Sequence, residues 1–262
     1  MNRREFLKIA GLSTLMGLGG KTAFEVLAPG RLEARQVPLT KGNAWGMVVD
    51  MRKMGHELIQ KCIDACHSFH NVPNIDDPEE EIKWIWAETY EHAFPGTESG
   101  YMGEEIKDME FLVFCNQCTN PPCVRVCPTK ATFKREDGIV AMDMHRCIGC
   151  RFCMAACPYG SRSFNWGDPR KAPAELNPGF PTNREYPTRS KGVVEKCDFC
   201  TERLARGELP VCVETANKEV EGAMIFGDLG DPDSEIREFL RENYTIRRKP
   251  ELGTEPNVFY VI

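Results

Sequence analysis

Eight cysteines between residues 115 and 157 constrain this chain more than any other feature of its sequence. The last four have the spacing C-x2-C-x2-C-x3-C-P. The first four have C-x2-C-x4-C-x3-C-P, with two extra residues before the third cysteine. Runs of this kind supply the thiolate ligands of four-iron, four-sulfur clusters, in which each iron takes one sulfur from the protein. Two runs in tandem therefore predict two clusters and an internal repeat.

The fourth cysteine of each run points away from the loop formed by the first three, and in two-cluster ferredoxins it binds the other cluster. Pro128 and Pro158 follow these two cysteines and end each turn, because proline has no backbone donor. Zinc and disulfides are the alternatives. Structural zinc sites usually separate their C-x2-C pairs by a longer loop, and cysteines this crowded cannot form independent disulfides. The predicted ligand sets are Cys115, Cys118, Cys123 with Cys157, and Cys147, Cys150, Cys153 with Cys127.

Two incomplete runs flank the complete pair. On the N-terminal side, Cys62 and Cys66 have the spacing of the last two positions of a run, while His56 and Ile59 stand at the first two. On the C-terminal side the first three cysteines of a run are present, and Ala216 occupies the position of the fourth. These three cysteines are Cys197, Cys200 and Cys212.

The incomplete runs are complementary if they exchange fourth ligands as the middle pair does. Cys66 then completes a third cluster with Cys197, Cys200 and Cys212. A fourth cluster would have a single thiolate, Cys62, and is expected to be absent. Three [4Fe-4S] clusters use twelve of the thirteen cysteines as ligands.

Cys62 and His56 leave alternatives open. Cys62 could replace Cys66 as a ligand, but its spacing places it on the side of the lost cluster, and we expect a buried, inert thiol. His56 could also be a ligand, but a solvated histidine on a helix is the expectation that we favour.

The repeats predict an α+β fold of two tandem bacterial-ferredoxin-like modules, one of them degenerate, with long loop insertions. We expect a middle module with two clusters, an outer module with one cluster, a surface loop and a C-terminal extension. The predicted boundaries are 111–165 for the middle module, 43–110 together with 190–225 for the outer module, 166–189 for the loop and 226–262 for the extension.

Local patterns refine the outer module. Trp45–Asp50 alternates as a strand does, and a helix-like stretch follows it. Residues 74–110 are acidic and polar, and we expect an inserted helix and loops there. Trp84 and Trp86 are expected to pack in a core, and a docking surface for a partner is the alternative.

The N-terminus has the pattern of an export signal. Arg3 and Arg4 are followed by the tripeptide FLK and a glycine-rich, mildly apolar segment, which is typical of the twin-arginine route. Residues 1–34 are therefore predicted as a signal peptide, either cleaved or retained as a short anchor. We expect the protein at the periplasmic face of the cytoplasmic membrane. Thiols already bound to iron would escape the disulfide formation that is usual outside the cytosol.

Composition and motif searches exclude other functions. The net charge is −6, so we expect no nucleic-acid partner, and no apolar run reaches the roughly 18 residues of a membrane span. A radical enzyme would need C-x3-C-x2-C, but Phe69 stands at the last position after Cys62 and Cys66. There is no glycine-rich dinucleotide loop.

With thiolates on every iron, we expect outer-sphere electron transfer and no catalytic residues. A structural zinc protein is the remaining alternative.

Basic residues lie close to the cysteines in sequence. They are expected to raise the cluster potentials, and solvated side chains are the alternative. These residues are Arg125, Lys130, Arg146, Arg151 and Lys196.

The four-run order resembles that of the iron–sulfur electron-transfer subunits of membrane oxidoreductases of the polysulfide, nitrite and dimethyl sulfoxide reductase type. The resemblance covers nearly all of the chain after the signal. It rests on CNQCTNPPCVRVCPTKA at 115–131, CIGCRFCMAACPYG at 147–160, KCDFCTERLARGELPVC at 196–212 and FGDL at 226–229.

The lost cluster, the twin-arginine pattern and CIDACHSFHNVP at 62–73 narrow the resemblance to one branch. This branch is the DsrO-type, three-cluster subunits of Dsr (Hme-type) membrane complexes in sulfur-metabolising prokaryotes. It implies three partners: a quinone-reactive membrane subunit of the NrfD type, a multihaem cytochrome c and heterodisulfide-reductase-like subunits. The resemblance also implies a role linked to sulfite reduction. The alternative is a relay in a molybdopterin or nitrite reductase complex.

Overall fold

Small sheets and short helices alternate along the chain, which confirms the predicted α+β class. The computed structural model describes residues 44–97, 100–171 and 182–262. Within these ranges the strands are β1 (Trp45–Asp50), β2 (Ile85–Thr89), β3 (Glu110–Phe114), β4 (Thr132–Lys134), β5 (Val140–Met142), β6 (Ser163–Phe164), β7 (Val194–Glu195), β8 (Met224–Asp228) and β9 (Val258–Val261). The α-helices are α1 (His56–Phe69), α2 (Tyr90–Ala93), α3 (Glu104–Lys107), α4 (Pro122–Arg125), α5 (Phe152–Ala156), α6 (Thr201–Leu204), α7 (Val211–Glu219) and α8 (Glu235–Glu242).

A three-stranded sheet joins the N-terminal and C-terminal parts of the described chain. The predicted strand at Trp45–Asp50 is confirmed as β1. It is the central strand of this sheet and pairs antiparallel with β8 and parallel with β9. Helix α8 covers this sheet, with Ile236 packed against Val48. Residues 226–262, predicted as an extension, therefore supply β9 and most of β8 to this sheet.

A β-hairpin occupies part of the region where we expected a helix and loops. β2 and β3 pair antiparallel, with Ile85 opposite Phe114, and the short helices α2 and α3 lie between them. The sequence of β3, EFLVF, suits a strand because aromatic and branched side chains pack well on a pleated surface. The prediction of a helix and loops for residues 74–110 holds for α2 and α3 but missed strand β2, because the acidic segment between the two strands separates them in sequence.

Trp84, just before β2, packs in the core as predicted. It is 1% exposed, and its indole Nε1 donates a hydrogen bond of 2.6 Å to Glu195 Oε2. Trp86 is half-buried, with Lys83 Nζ 5.7 Å from the centre of its ring. The first tryptophan therefore stabilises the core, and the second lies near its edge.

Helix α1 presents one apolar stripe to the core. Leu58, Ile59, Cys62 and Cys66 are buried, and their spacing of three or four residues places them on one face of the helix. This face lies against α7, which carries another of the predicted ligands, Cys212. Packing of α1 on α7 thus brings the two incomplete cysteine runs together.

The predicted loop at 166–189 is only partly a surface feature. Residues 172–181 lie outside the described residues. After them, Tyr186 and Arg189 are buried, and Arg189 donates hydrogen bonds to the carbonyl oxygens of His70 and Asn71. Arg189 also forms a buried ion pair with Glu195, at 2.7 Å. Sequence patterns did not predict this burial, because an arginine in a polar loop is usually solvated.

The predicted signal, residues 1–34, also lies outside the described residues. Among the residues that the structure describes, none of the helices has the length and apolar character needed to cross a bilayer.

Replacement of Arg189 by methionine should strongly destabilise the fold. Glu195 would remain buried without its cationic partner, a change that costs about 3–5 kcal/mol. The midpoint of urea unfolding, followed by circular dichroism, should fall markedly. Arg170→Met removes an exposed pair with Asp168 and should change the midpoint little. Equal midpoints for the two variants would contradict a stabilising role for the buried pair.

Candidate metal centres

Three cysteine loops share one unusual backbone feature. The residue just before the second cysteine has a positive φ in each loop: 44° at Gln117, 71° at Gly149 and 60° at Phe199. A left-handed residue in a tight turn directs successive backbone N–H groups into one concavity, which favours an anionic occupant. The corresponding position of the N-terminal run is Leu58, inside helix α1. This run therefore has no such loop.

Two pairs of contacting helices each carry cysteines from two of the runs. Cys123 lies in α4 and Cys153 in α5, and these two helices are in contact. Cys212 lies in α7, which contacts α1 with its Cys66. Each pair of cysteine runs thus corresponds to one pair of contacting helices.

The outer set of thiols converges. The pKa of Cys66 is raised well above its usual value, by burial and then by repulsion from Cys200, Cys197 and Cys212. Burial also raises the pKa of Cys212 to about 12. Charge repulsion weakens with distance, so Cys66 lies near the three cysteines with which spacing groups it. Cys197 also lies near Cys115 of the first middle set, whose charge raises its pKa too. The assignment of all four as ligands stays a prediction.

The first middle set behaves in the same way. The pKa of Cys118 is raised to about 12, by burial and then by Cys115, with smaller contributions from Cys157 and Cys123. The pKa of Cys157 is raised by burial and by Cys115. All four predicted members of this set therefore lie within electrostatic reach of one another.

The second middle set is closer to the surface. Cys153 is buried, and burial, together with Cys123 and Cys147, raises its pKa. Burial would raise the pKa of Cys127 too, but donors such as the Thr132 N–H, 3.5 Å from its sulfur, lower it. Cys150 is exposed. For Cys127 and Cys150, membership of this set rests on sequence spacing.

Core residues occupy the position of the cluster that the spacing predicts to be absent. Ile59, Cys62 and Ala216 are each at most 1% exposed. Cys62 Sγ lies 3.6 Å from the carbonyl oxygen of Cys212, and burial raises its pKa to about 12. His56 is exposed, with Nδ1 2.6 Å from a Glu110 oxygen, and this contact raises its pKa. Cys62 is thus a buried thiol and His56 a solvated helix residue, as expected.

Buried basic side chains accompany the cysteines. Arg162 is 4% exposed. Burial would lower its pKa, but the nearby thiols Cys123, Cys153 and Cys115 raise it. Its Nη2 has no hydrogen-bond partner within the described ranges. The sequence did not indicate a role for Arg162, because this residue lies after the middle cysteine runs and comes close to their thiols only through folding.

The predicted basic residues divide into two groups. Lys196 is buried, and its Nζ donates hydrogen bonds to the carbonyl oxygens of Val140 and Cys197. The other four are exposed, so the solvated alternative describes them: Arg125, Lys130, Arg146 and Arg151.

These residues fit [4Fe-4S] clusters. Thiolate is the ligand that such clusters require, and the thiols occur in groups within concave loops. A cluster with four thiolates is anionic, so inward N–H groups and the buried charges of Arg162 and Lys196 would stabilise it.

Comparison with known proteins agrees with this chemistry. Residues 108–172 match the family model described as a 4Fe-4S dicluster domain. The chain is 38% identical over 280 aligned residues to the Hdr-like menaquinol oxidoreductase iron–sulfur subunit 1 of Archaeoglobus fulgidus. This alignment covers 99% of the chain and 97% of the relative. The chain belongs to this family of iron–sulfur subunits.

Other members of the family have different names. The chain is 44% identical over 231 residues to a selenate reductase subunit of Mesobacillus selenatarsenatis, covering 83% of the chain and 71% of the relative. It is 34% identical over 238 residues to the menaquinone reductase iron–sulfur cluster-binding subunit of Nitratidesulfovibrio vulgaris, covering 83% and 88%. The resemblance inferred from the cysteine runs is therefore confirmed at the level of the family.

Replacement of Gly149 by alanine should abolish one cluster. An added Cβ would lie 2.5 Å from the carbonyl oxygen of Gly192, and φ is +71°. Both effects oppose the loop between Cys147 and Cys150, and we expect a loss of about four iron atoms per chain. Gly96→Ala is the control, since its φ is +86° but its Cβ would meet no atom within 4 Å. Full iron in the Gly149 variant would contradict the prediction.

Alkylation tests whether Cys62 is an inert or a reactive thiol. At pH 8 a thiol with a pKa of about 12 is almost entirely protonated, and Cys62 is fully buried. Iodoacetamide should therefore leave Cys62 unmodified in the folded, iron-loaded protein and modify it after denaturation. Peptide mass spectrometry measures both states. Rapid modification of Cys62 in the folded protein would rule out the inert role.

Proposed function

We propose that this chain is an electron-transfer subunit with three [4Fe-4S] clusters. It would relay electrons between a quinone-reactive membrane subunit and haem or iron–sulfur partners. The observation that carries the proposal is the proximity of Cys66 to Cys197, Cys200 and Cys212, which supports their assignment as a third ligand set. The names of the menaquinol and menaquinone relatives support a link to quinone.

We further propose that the fold is two ferredoxin-like modules in tandem. The contact of α4 with α5 and that of α7 with α1 support this arrangement, since each helix pair carries cysteines of two runs. In the outer module one cluster would be retained, and the core residues Ile59, Cys62 and Ala216 would replace the other.

In electron transfer the protein would keep substrates away from the iron atoms and would set the reduction potentials of the clusters through nearby charges. When bound, each cluster supplies reversible one-electron transfer. Four thiolates per cluster leave no iron position for substrate, which favours a relay over catalysis. The buried charges of Arg162 and Lys196 favour the reduced, more negative state of nearby clusters.

The proposed partners are an NrfD-type integral membrane subunit, heterodisulfide-reductase-like subunits and a multihaem cytochrome c. The name of the Archaeoglobus relative, Hdr-like menaquinol oxidoreductase, supports the first two. We also propose a role in sulfur metabolism linked to sulfite reduction. The twin-arginine pattern at Arg3 and Arg4 supports export to the periplasmic face of the membrane.

A second candidate keeps the relay and changes the partner. The identity of 44% to a selenate reductase subunit favours the iron–sulfur subunit of a terminal reductase complex, such as a molybdopterin or nitrite reductase. Purification of the native membrane complex separates the two candidates. Heterodisulfide-reductase-like subunits should copurify in the first, and a reductase catalytic subunit in the second.

Iron analysis of two matched cysteine variants tests the cluster count. The wild-type protein should contain about twelve iron and twelve acid-labile sulfide per chain. Cys66→Ala should contain about eight of each, because the outer cluster loses its fourth ligand. Cys62→Ala should keep about twelve. Equal iron in both variants would overturn the proposed pairing. A colourless protein that contains zinc would overturn the function.

A further inference from the structure

Three potential ligand side chains meet beside the outer set of thiols. They are His70, Asp198 and Glu202, and one ligand atom of each lies within 4.8 Å of the other two. His70 follows the last residue of α1, Asp198 lies in the loop between Cys197 and Cys200, and Glu202 lies in α6. The roles proposed above use none of these three side chains.

His70 is oriented as a metal ligand. Its Nδ1 lies 2.8 Å from the Cys66 carbonyl oxygen, and because a carbonyl only accepts, this nitrogen carries the proton. Nε2 then has a free lone pair, and it has no hydrogen-bond partner among the described residues. The residue is 1% exposed, and its ring stacks on Trp84 at 4.2 Å between ring centres. Histidines that bind metals commonly donate their other N–H to a carbonyl in this way.

The two carboxylates complete the group. Asp198 is held in place by the Cys200 N–H, at 3.0 Å, and by the Thr201 hydroxyl, at 2.9 Å. Glu202 Oε2 is buried and, within the described residues, has no partner.

Neighbouring cations are engaged elsewhere. The Arg189 guanidinium bonds to Glu195 and to two carbonyl oxygens. Arg206 donates a hydrogen bond to Glu208 at 3.1 Å, and Arg135 forms an ion pair with Asp137 at 2.9 Å.

We propose that His70 Nε2 and one oxygen each of Asp198 and Glu202 bind a divalent cation of the manganese or zinc type. One imidazole nitrogen and two carboxylate oxygens suit these ions, whereas Mg²⁺ and Ca²⁺ prefer oxygen ligands throughout. Water would complete the coordination. The nearby thiols are committed to the outer cluster.

The site would also act on the outer cluster. His70 Nδ1 lies 3.4 Å from the sulfur of Cys66, so a bound dication would be close to one predicted cluster ligand. Positive charge there favours the reduced cluster and should raise its potential. This consequence rests on the proposed function, but cation binding itself rests only on the three side chains.

Titration with Mn²⁺ tests the proposal. The full-length, iron-loaded protein is kept oxidised and anaerobic, so that its [4Fe-4S] clusters give no spin-resonance signal. Loss of the six-line signal of free Mn²⁺ then measures binding. We expect one Mn²⁺ per chain, with affinity at least about tenfold weaker in His70→Gln and in Glu202→Gln. Failure of the wild-type protein to bind Mn²⁺ overturns the proposal, however the variants fold.

A surface histidine–glutamate pair supplies the matched control. His92 Nδ1 lies 3.0 Å from a Glu88 oxygen at the surface, away from the cysteine runs. His92→Gln and Glu88→Gln should bind one Mn²⁺ as the wild type does. Unchanged affinity in both the His70 and Glu202 variants, or equal loss in the control variants, overturns the assignment.

A second measurement locates the cation. After reduction, bound Mn²⁺ should broaden the spin-resonance signal of the outer cluster, and Cys66→Ala should lack that broadened component. One bound Mn²⁺ without broadening in the wild type overturns the location. Iron analysis separates the two proposals. If the iron count excludes a third cluster while Mn²⁺ still binds through His70 and Glu202, the function fails and the cation site stands.

Discussion

Buried thiols brought together from distant parts of the chain organise this structure. Cys66 on α1 meets Cys197, Cys200 and Cys212 from the C-terminal half, and Cys118 meets Cys157 within the middle repeat. The sheets around them are small and the helices short. Metal–thiolate bonds contribute folding free energy directly, so bound clusters would add to the stability that the apolar core provides.

In the N-terminal run, two helices pack together through apolar side chains at the position where the spacing of the runs would place another cluster. In the other runs a left-handed residue shapes a loop that would favour an anionic occupant, as at Gly149 and Phe199. In the N-terminal run, helix α1 continues through the corresponding position, and Ile59 and Cys62 pack against α7. Apolar packing thus replaces metal binding where the ligands are absent, and the contact between α1 and α7 is retained.

Burial, and not proximity in the sequence, determines which basic residues can affect the cysteines. Four of the five basic residues that lie near the runs in sequence are exposed, where water screens their effect. Arg162 and Lys196 are buried instead, and the Arg162 charge acts on the thiols of Cys123, Cys153 and Cys115. The same reasoning applies to His70 Nε2 and Glu202 Oε2, two buried atoms that have no hydrogen-bond partner among the described residues.

Cysteine spacing was sufficient to indicate the family, the ligand candidates and the α+β class, because a cubane dictates which thiols a short loop can offer. Local patterns also indicated β1 and α1. Folding in three dimensions set the pairing of β2 with β3, the burial of Arg189 and Arg162, and the meeting of His70 with Asp198 and Glu202. These contacts join residues far apart in the chain, and a local sequence pattern carries no record of which distant side chains will exclude water together.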